Sequence, residues 1–146
     1  MTRFRATAVI DKPVEEVFAF AADPENDPRW SSAVSKARRT SKSALGLGSR
    51  YEQVLRFVGR RLEVTFEVTG YEPNRTVEIG RFSGPLRSAV GRRTFESVPG
   101  GTRVTFIAEG RSGLFLNLVE PLVAAAGRRE FRRALANLKQ ILEAER

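Results

Sequence analysis

The residues best able to do chemistry are polar side chains that fall on otherwise apolar strand faces. Gln53 lies between Tyr51 and Leu55 in an alternating segment, and Arg93 has the same parity as Phe95. Burying a polar group without a partner is costly, so such positions are informative. An inward arginine facing a carboxylate, phenolate or enolate oxygen would fix and polarise a ligand. The alternative is an outward arginine in a slightly irregular strand.

Arg81 is the second arginine of this kind. Its parity matches that of Val77 and Ile79, which predicts an inward side chain that contacts an acidic or carbonyl oxygen of a ligand. Gly80 leaves the alternative open, because a bulge at that position would turn Arg81 outward.

General acid–base catalysis would need a carboxyl or hydroxyl group on the same inward face. Tyr51 is the one inward hydroxyl that the alternation offers, and Glu109 has the opposite parity to Phe106. Asp23 and Asp27 flank prolines, where capping a short helix is their simpler role. The sequence shows no set of residues arranged for catalysis. It therefore favours a protein that is not an enzyme, and an enzymatic function is left open.

Two residue types are missing altogether, since the chain has neither cysteine nor histidine. This excludes disulfides, thiolate nucleophiles, Cys-based zinc sites and the Ser-His-Asp triad. It also removes the commonest metal ligand. We therefore predict no metal site and no cofactor.

The formal charge is +8, from 21 Arg and 4 Lys against 17 acidic residues. The aromatics do not interleave with the arginines as in a nucleic-acid stacking surface, so a solvated basic face is expected and a nucleic-acid partner is not. An alternative is weak contact with an anionic membrane through residues 114–116 and the arginines at 128–129 and 132–133. The N-terminus lacks an apolar signal segment, and no apolar stretch is long enough to span a bilayer, which predicts a cytoplasmic protein.

The elements that must position these side chains follow a clear order. A strand near residues 3–11 precedes a helix begun by Pro13, a second short helix or turn carries Trp30, and alternating segments predict about six further antiparallel strands. The chain closes on an amphipathic helix near residues 114–144. Pro121 implies that this helix either starts near Glu120 or kinks there.

Five segments resemble one known family. They are VIDKPVEEVF at 9–18, the Asp23-Pro24 and Pro28-Arg29-Trp30 pair, YEPNR at 71–75, the hairpin from Phe95 through PGGTRV at 99–104, and LKQILE at 138–143. Together and in order, over nearly the whole chain, they resemble the START-like (SRPBCC) superfamily, specifically its polyketide cyclase/dehydrase and lipid-transport group.

The resemblance implies an α+β helix-grip fold: a curved antiparallel sheet of about seven strands wrapped around the long C-terminal helix, with two short helices after the first strand. We expect residues 1–146 to form one domain that binds or carries a hydrophobic or aromatic small molecule, such as a lipid, quinone or polyketide-like compound. A cyclase or dehydratase acting in the same cavity, or a peripheral membrane lipid-handling module, is the alternative. The oligomeric state is left open.

Strand parity and the resemblance together select the residues expected around this cavity, with Trp30 near its mouth. Ordinary core packing would produce the same apolar pattern. The predicted cavity residues are Trp30, Tyr51, Gln53, Leu55, Phe57, Val64, Phe66, Val77, Ile79, Arg81, Arg93, Phe95, Phe106, Leu118 and Leu122.

Overall fold

The structure is a computed structural model that describes residues 2–57, 59–110 and 120–145. The strands in these residues are β1 (Thr2–Ile10), β2 (Val34–Arg39), β3 (Arg50–Phe57), β4 (Arg60–Glu72), β5 (Thr76–Gly80), β6 (Val90–Val98) and β7 (Gly101–Gly110). The α-helices are α1 (Val14–Ala21) and α2 (Glu120–Ala144), and the 3₁₀ helices are η1 (Pro24–Arg29) and η2 (Gly84–Leu86).

The strands form one sheet in the order β1-β7-β6-β5-β4-β3-β2, with every neighbouring pair antiparallel. The sheet curls, and α1, η1 and α2 lie over its concave face. This is the predicted α+β helix-grip fold, which is thereby confirmed. No described helix has both the length and the apolar composition needed to cross a membrane.

Pro13 marks the start of α1 close to its predicted place, and Pro121 is the second described residue of α2. Pro13 is the residue before α1 rather than its first helical residue, since its ψ of 150° is extended. The described part of α2 starts at Glu120, because residues 111–119 lie outside the described residues. The two alternatives for Pro121, a helix start near Glu120 or a kink there, therefore stay predictions.

The C-terminal half of α2 is fastened to the end of β1 and to the loop that follows it. Lys139 Nζ donates to the carbonyl oxygen of Val9 at 2.6 Å, and the amide of Asp11 donates to Glu143 Oε2 at 2.9 Å. Hydrogen bonds from Lys139 and from the Asp11 amide hold the pKa of Glu143 below its usual value. Further up the helix, Gly127 lies against the ring of Phe4, where a Cβ atom would come within 2.6 Å of the ring tip.

Burial changes along the concave face of the sheet. At the end covered by α1 and the C-terminal half of α2, Ile10, Val77, Val104 and Leu138 are fully buried. Away from this end several inward apolar side chains are only half-buried, and these include Phe4, Leu55, Ile79 and Ala108. Val68, the neighbour of Ile79 in β4, is nevertheless buried. Among the described residues, the core is therefore most completely buried under α1 and the C-terminal half of α2.

Candidate functional site

The site is organised by η1, the short 3₁₀ helix that lies over the concave face. Its N-terminus is capped by Asp23, whose Oδ1 accepts from the amide of Glu25 at 3.0 Å. Asn26 ties it back to α1 by donating to the carbonyl oxygen of Phe20 at 3.1 Å. These local bonds hold η1 in place, so that Asp27 at its centre points into the protein.

A buried ion pair joins η1 to the sheet. Asp27 is 3% exposed, and Arg93 in β6 meets its carboxylate with two parallel bonds of 2.9 and 2.6 Å. Arg93 also donates to the carbonyl oxygen of Ala21, at 3.0 Å. Its side chain is only 11% exposed, so Arg93 faces inward as its parity with Phe95 predicts. This two-pronged geometry is the strong form of an arginine–carboxylate contact.

Gln53 completes this polar cluster from β3. Its Nε2 donates to Asp27 Oδ2 at 3.0 Å and to the carbonyl oxygen of Pro24 at 3.1 Å. Strands β3 and β6 are separated by β4 and β5, which in a flat sheet would place them about 14 Å apart. Only the curl of the sheet brings Gln53 and Arg93 to the same carboxylate.

The surroundings of Asp27 act on its charge in opposite directions. Burial raises the pKa of its carboxyl group, and the charge and hydrogen bonds of Arg93 and Gln53 offset part of that rise. Desolvating two charges costs about as much as their attraction returns, so the pair by itself adds little stability. Its main effect is to present a neutralised pair, rather than a free cation, to the concave face.

Aromatic rings enclose the guanidinium of Arg93. Its Cζ atom lies 5.5 Å from the ring centre of Trp30 and 5.2 Å from that of Phe106, and the two rings are 5.3 Å apart. A cation against aromatic faces is stabilised, more so when water is excluded. Arg93 is thus held by one carboxylate, one carbonyl group and two rings.

Tyr51 belongs to a second polar network. Its hydroxyl donates to Asp23 Oδ1 at 3.0 Å, and Arg39 donates to Asp23 Oδ2 at 3.1 Å. Burial and the nearby charge of Asp23 raise the pKa of Tyr51 above its usual value. A phenol in this setting stays protonated and already donates to a carboxylate, which makes it a poor general acid.

Trp30 is 5% exposed and borders an open surface crevice of about 290 Å³ between η1 and α2. The other side of this crevice is formed by Asn137, Gln140 and Ile141 of α2. Trp30 therefore lies between this crevice and the interior ring of Phe106, and its predicted place at the mouth of a ligand cavity stays a prediction.

Arg81 does not occupy the position predicted for it. Strand β5 ends at Gly80, and Arg81 has a left-handed backbone with φ of 54°, so the strand parity no longer applies. The side chain is 75% exposed and pairs with Glu67 at 3.2 Å beside an open depression of about 330 Å³. The inward orientation predicted for Arg81 is wrong because the strand ends one residue before it.

The remaining predicted cavity residues lie as follows. Tyr51, Gln53, Val64, Phe66, Val77, Phe95 and Phe106 are buried in the core or on its inner face, and Leu55 and Ile79 are half-buried. Leu118 and the side chains of Phe57 and Leu122 lie outside the described residues. A single cavity bordered by these residues stays a prediction.

Sequence reasoning interpreted Asp27 as a capping residue and missed its central role in this polar cluster. The available signal was charge balance, because an inward Arg93 and an inward Gln53 need an acceptor. Asp23 does cap η1, and it also joins Tyr51 and Arg39. Among the described residues, no three His, Cys, Asp or Glu side chains are grouped so that they could hold a metal ion.

Comparisons with known proteins agree with this architecture. A family model described as "Polyketide cyclase / dehydrase and lipid transport" matches residues 1–143. No curated protein gives a match to the sequence.

Solved structures share the fold at low sequence identity. TTHA0849 from Thermus thermophilus has a TM-score of 0.77 and 21% identity, with 99% of each chain covered. CV1439 from Chromobacterium violaceum has a TM-score of 0.70 and 14% identity, covering 99% of this chain and 100% of the other. DR_A0006 from Deinococcus radiodurans has a TM-score of 0.68 and 20% identity, with 98% of each chain covered.

Proposed function

Because the chain belongs to the polyketide cyclase / dehydrase and lipid transport family, we propose that it binds a hydrophobic small molecule between the concave face of the sheet and α2. The observation that carries this proposal is the burial gradient. Within the part of the chain that the structure describes, Leu55, Ile79 and Ala108 point to the concave side and stay half-buried, whereas Ile10, Val77 and Val104 at the other end are fully buried. Concave, mostly apolar surfaces of this kind are where proteins bind small molecules.

The polar groups favour binding over catalysis. Acid–base chemistry needs a group that is free to exchange a proton with the ligand. Tyr51 already donates to Asp23, and Asp27 is held by Arg93 and Gln53. The described inward face therefore supplies positioned, paired groups rather than a free acid or base.

The test is a cavity-filling variant assayed with the neutral fluorophore N-phenyl-1-naphthylamine. Ala108→Phe places a ring among the half-buried residues of β7 and should abolish most of the fluorescence enhancement. Ala136→Phe, on the exposed face of α2, is the matched control and should bind like the wild type. Circular dichroism confirms that both variants fold. Equal binding by both variants, or none by the wild type, contradicts the proposal.

The bound compounds identify the ligand and separate a carrier from an enzyme. Native mass spectrometry of the purified protein shows what copurifies, and each candidate is then incubated with the protein and analysed for conversion. A carrier returns the compound unchanged. Catalysed cyclisation or dehydration would show instead that this is an enzyme of the same family.

One surface favours a second function, docking to an anionic lipid bilayer. Arg128, Arg129, Arg132 and Arg133 are exposed and, at 100° per residue, share one side of α2. Glu130, the acidic residue between them, is bonded to Ser32 instead. Such a cationic stripe suits a negatively charged membrane surface.

Vesicle co-sedimentation tests this second function. The wild type should pellet with vesicles that contain phosphatidylserine and remain in solution with phosphatidylcholine alone. The pair Arg128→Gln/Arg132→Gln should reduce pelleting more than Arg50→Gln/Arg75→Gln, which removes the same charge from β3 and from the turn between β4 and β5. An equal loss of pelleting in both variants would indicate that binding depends on net charge and not on a docking face.

A further inference from the structure

The indole of Trp30 carries a hydrogen-bond donor that the protein does not use. Among the buried side-chain nitrogen and oxygen atoms of the described residues, Trp30 Nε1 alone has no hydrogen-bond partner. The rest of the residue is well held, since its ring packs on Phe106 and its carbonyl oxygen accepts from Asn137 at 3.4 Å. A buried donor left unpaired costs about 1–3 kcal/mol, so an acceptor from outside the protein is strongly favoured there.

The neighbouring polar groups have no comparable need. Arg93 and Gln53 share the carboxylate of Asp27, and Tyr51 donates to Asp23. The formal charges of Arg93 and Asp27 cancel. A carboxylate ligand placed beside this pair would bring a desolvated charge without a counter-charge, which is costly. A neutral acceptor oxygen would satisfy Nε1 without that cost.

From this arrangement we infer that Trp30 Nε1 is the polar anchor of the proposed ligand site, and that the site takes an uncharged apolar molecule carrying a carbonyl oxygen. The inference rests on the proposed function and specifies the ligand class. The apolar body lies against Phe106 and the half-buried side chains, and the carbonyl oxygen accepts from the indole. Trp30 orients the ligand and takes no part in a reaction.

Three naphthalene probes of similar size test the inference: 1-acetylnaphthalene, 1-ethylnaphthalene and 1-naphthoate. Each is titrated as a competitor of N-phenyl-1-naphthylamine. The wild type should bind the ketone about tenfold more tightly than the ethyl compound, and the carboxylate more weakly than the ketone. Trp30→Phe keeps an aromatic ring and removes the donor, so it should lose the preference for the ketone while its affinity for the ethyl compound changes little.

The indole can also be observed directly, which keeps the test decisive if Trp30→Phe is unstable. The chain has a single Trp, so the ¹H–¹⁵N spectrum contains one indole resonance. The ketone should move the indole proton downfield, and the ethyl compound should not.

The outcomes are distinct. Loss of the ketone preference in Trp30→Phe together with the indole shift supports the anchor. A preference retained in Trp30→Phe, or a wild type that binds ketone and ethyl compound equally, overturns the anchor and leaves the binding function intact. In the second case water satisfies Nε1. Absence of fluorophore binding by the wild type overturns the proposed function, and the anchor with it.

Discussion

At the scale of single residues, the Asp27–Arg93 pair determines that the concave face presents a neutralised ion pair and not a free cation. The pair adds little net stability, because burial works against both charges. Its geometry nevertheless fixes η1, since Asp27 receives two bonds from Arg93 and one from Gln53. A residue that looks like a helix cap in the sequence is thus the acceptor that allows two polar side chains to face inward.

Removing one member of the pair should therefore cost far more than removing both. Asp27→Leu leaves Arg93 buried without its counter-charge and should lower the free energy of unfolding by about 3–5 kcal/mol. Asp27→Leu combined with Arg93→Met should recover most of that loss. Urea unfolding of the wild type, both single variants and the double variant measures the coupling. Additive effects in this cycle would show that the pair is not held as described.

Tyr51 gives a second prediction at this scale, and it concerns alkaline pH. Because the pKa of Tyr51 is raised in the folded protein, its contribution to stability is complete below the pKa of an unfolded tyrosine, about 10. That contribution is lost as the pH rises above this value, since the unfolded chain then releases the proton first.

The free energy of unfolding of the wild type should accordingly fall more steeply above about pH 10 than that of Tyr51→Phe. At neutral pH the variant should be less stable by about 1 kcal/mol, the usual net value of a hydrogen bond. Tyr71 is the only other tyrosine, so an ultraviolet titration of Tyr71→Phe follows Tyr51 alone. Ionisation of Tyr51 at the pH of a free tyrosine would contradict the prediction.

At the scale of elements, the attachment of α2 to β1 depends on one close approach. Gly127 is buried against Phe4, which also packs on Phe131 with 5.9 Å between ring centres. Glycine inside a helix costs about 1 kcal/mol relative to alanine, so a glycine here indicates that space, rather than helix propensity, governs the position.

Gly127→Ala should therefore lower the melting temperature, although alanine favours the helix. The added methyl group meets the tip of the Phe4 ring, and overpacking of this kind costs about 1–3 kcal/mol. The double variant Phe4→Leu/Gly127→Ala removes the ring tip and should be more stable than Phe4→Leu alone. Thermal unfolding followed by circular dichroism provides both comparisons. A more stable Gly127→Ala single variant would show that α2 has room to move away from β1.

At the scale of the whole molecule, the described residues at the two ends of the sheet differ in how completely they are buried. One end carries α1 and the fastened half of α2, with Ile10, Val104 and Leu138 fully buried. The other end retains half-buried apolar side chains such as Leu55 and Ile79. Regions with fewer buried contacts open more easily, so the difference in packing implies a difference in local stability.

Amide hydrogen exchange should show this difference. In the free protein, exchange should be slowest around Val104 and Phe95 and faster around Leu55, Ile79 and Ala108. N-phenyl-1-naphthylamine should slow exchange mainly in the second group, because a ligand covers those residues and leaves the closed end unchanged. Uniform slowing throughout the sheet would indicate global stabilisation by a ligand bound elsewhere.

The sequence by itself determined the element order, the strand faces and the fold. Alternation along β3, β4 and β7 is a local property, so the inward positions of Tyr51, Phe66 and Phe106 could be read without knowing their neighbours. Proline chemistry is local in the same way and left two alternatives at Pro121, a helix start near Glu120 or a kink. The parity of Arg93 held because β6 continues as a regular strand on both sides of it.

Tertiary structure decided everything that depends on where a strand ends or how the sheet curls. The prediction that Arg81 points inward is wrong because β5 stops at Gly80. Strand parity carries no information beyond the last paired residue. The partnership of Asp27 with Gln53 and Arg93 joins residues 26 and 66 positions away, across a sheet whose curvature no local pattern encodes. For the same reason, the unpaired donor of Trp30 could be identified only from the tertiary structure, which gives the positions of the neighbouring acceptors.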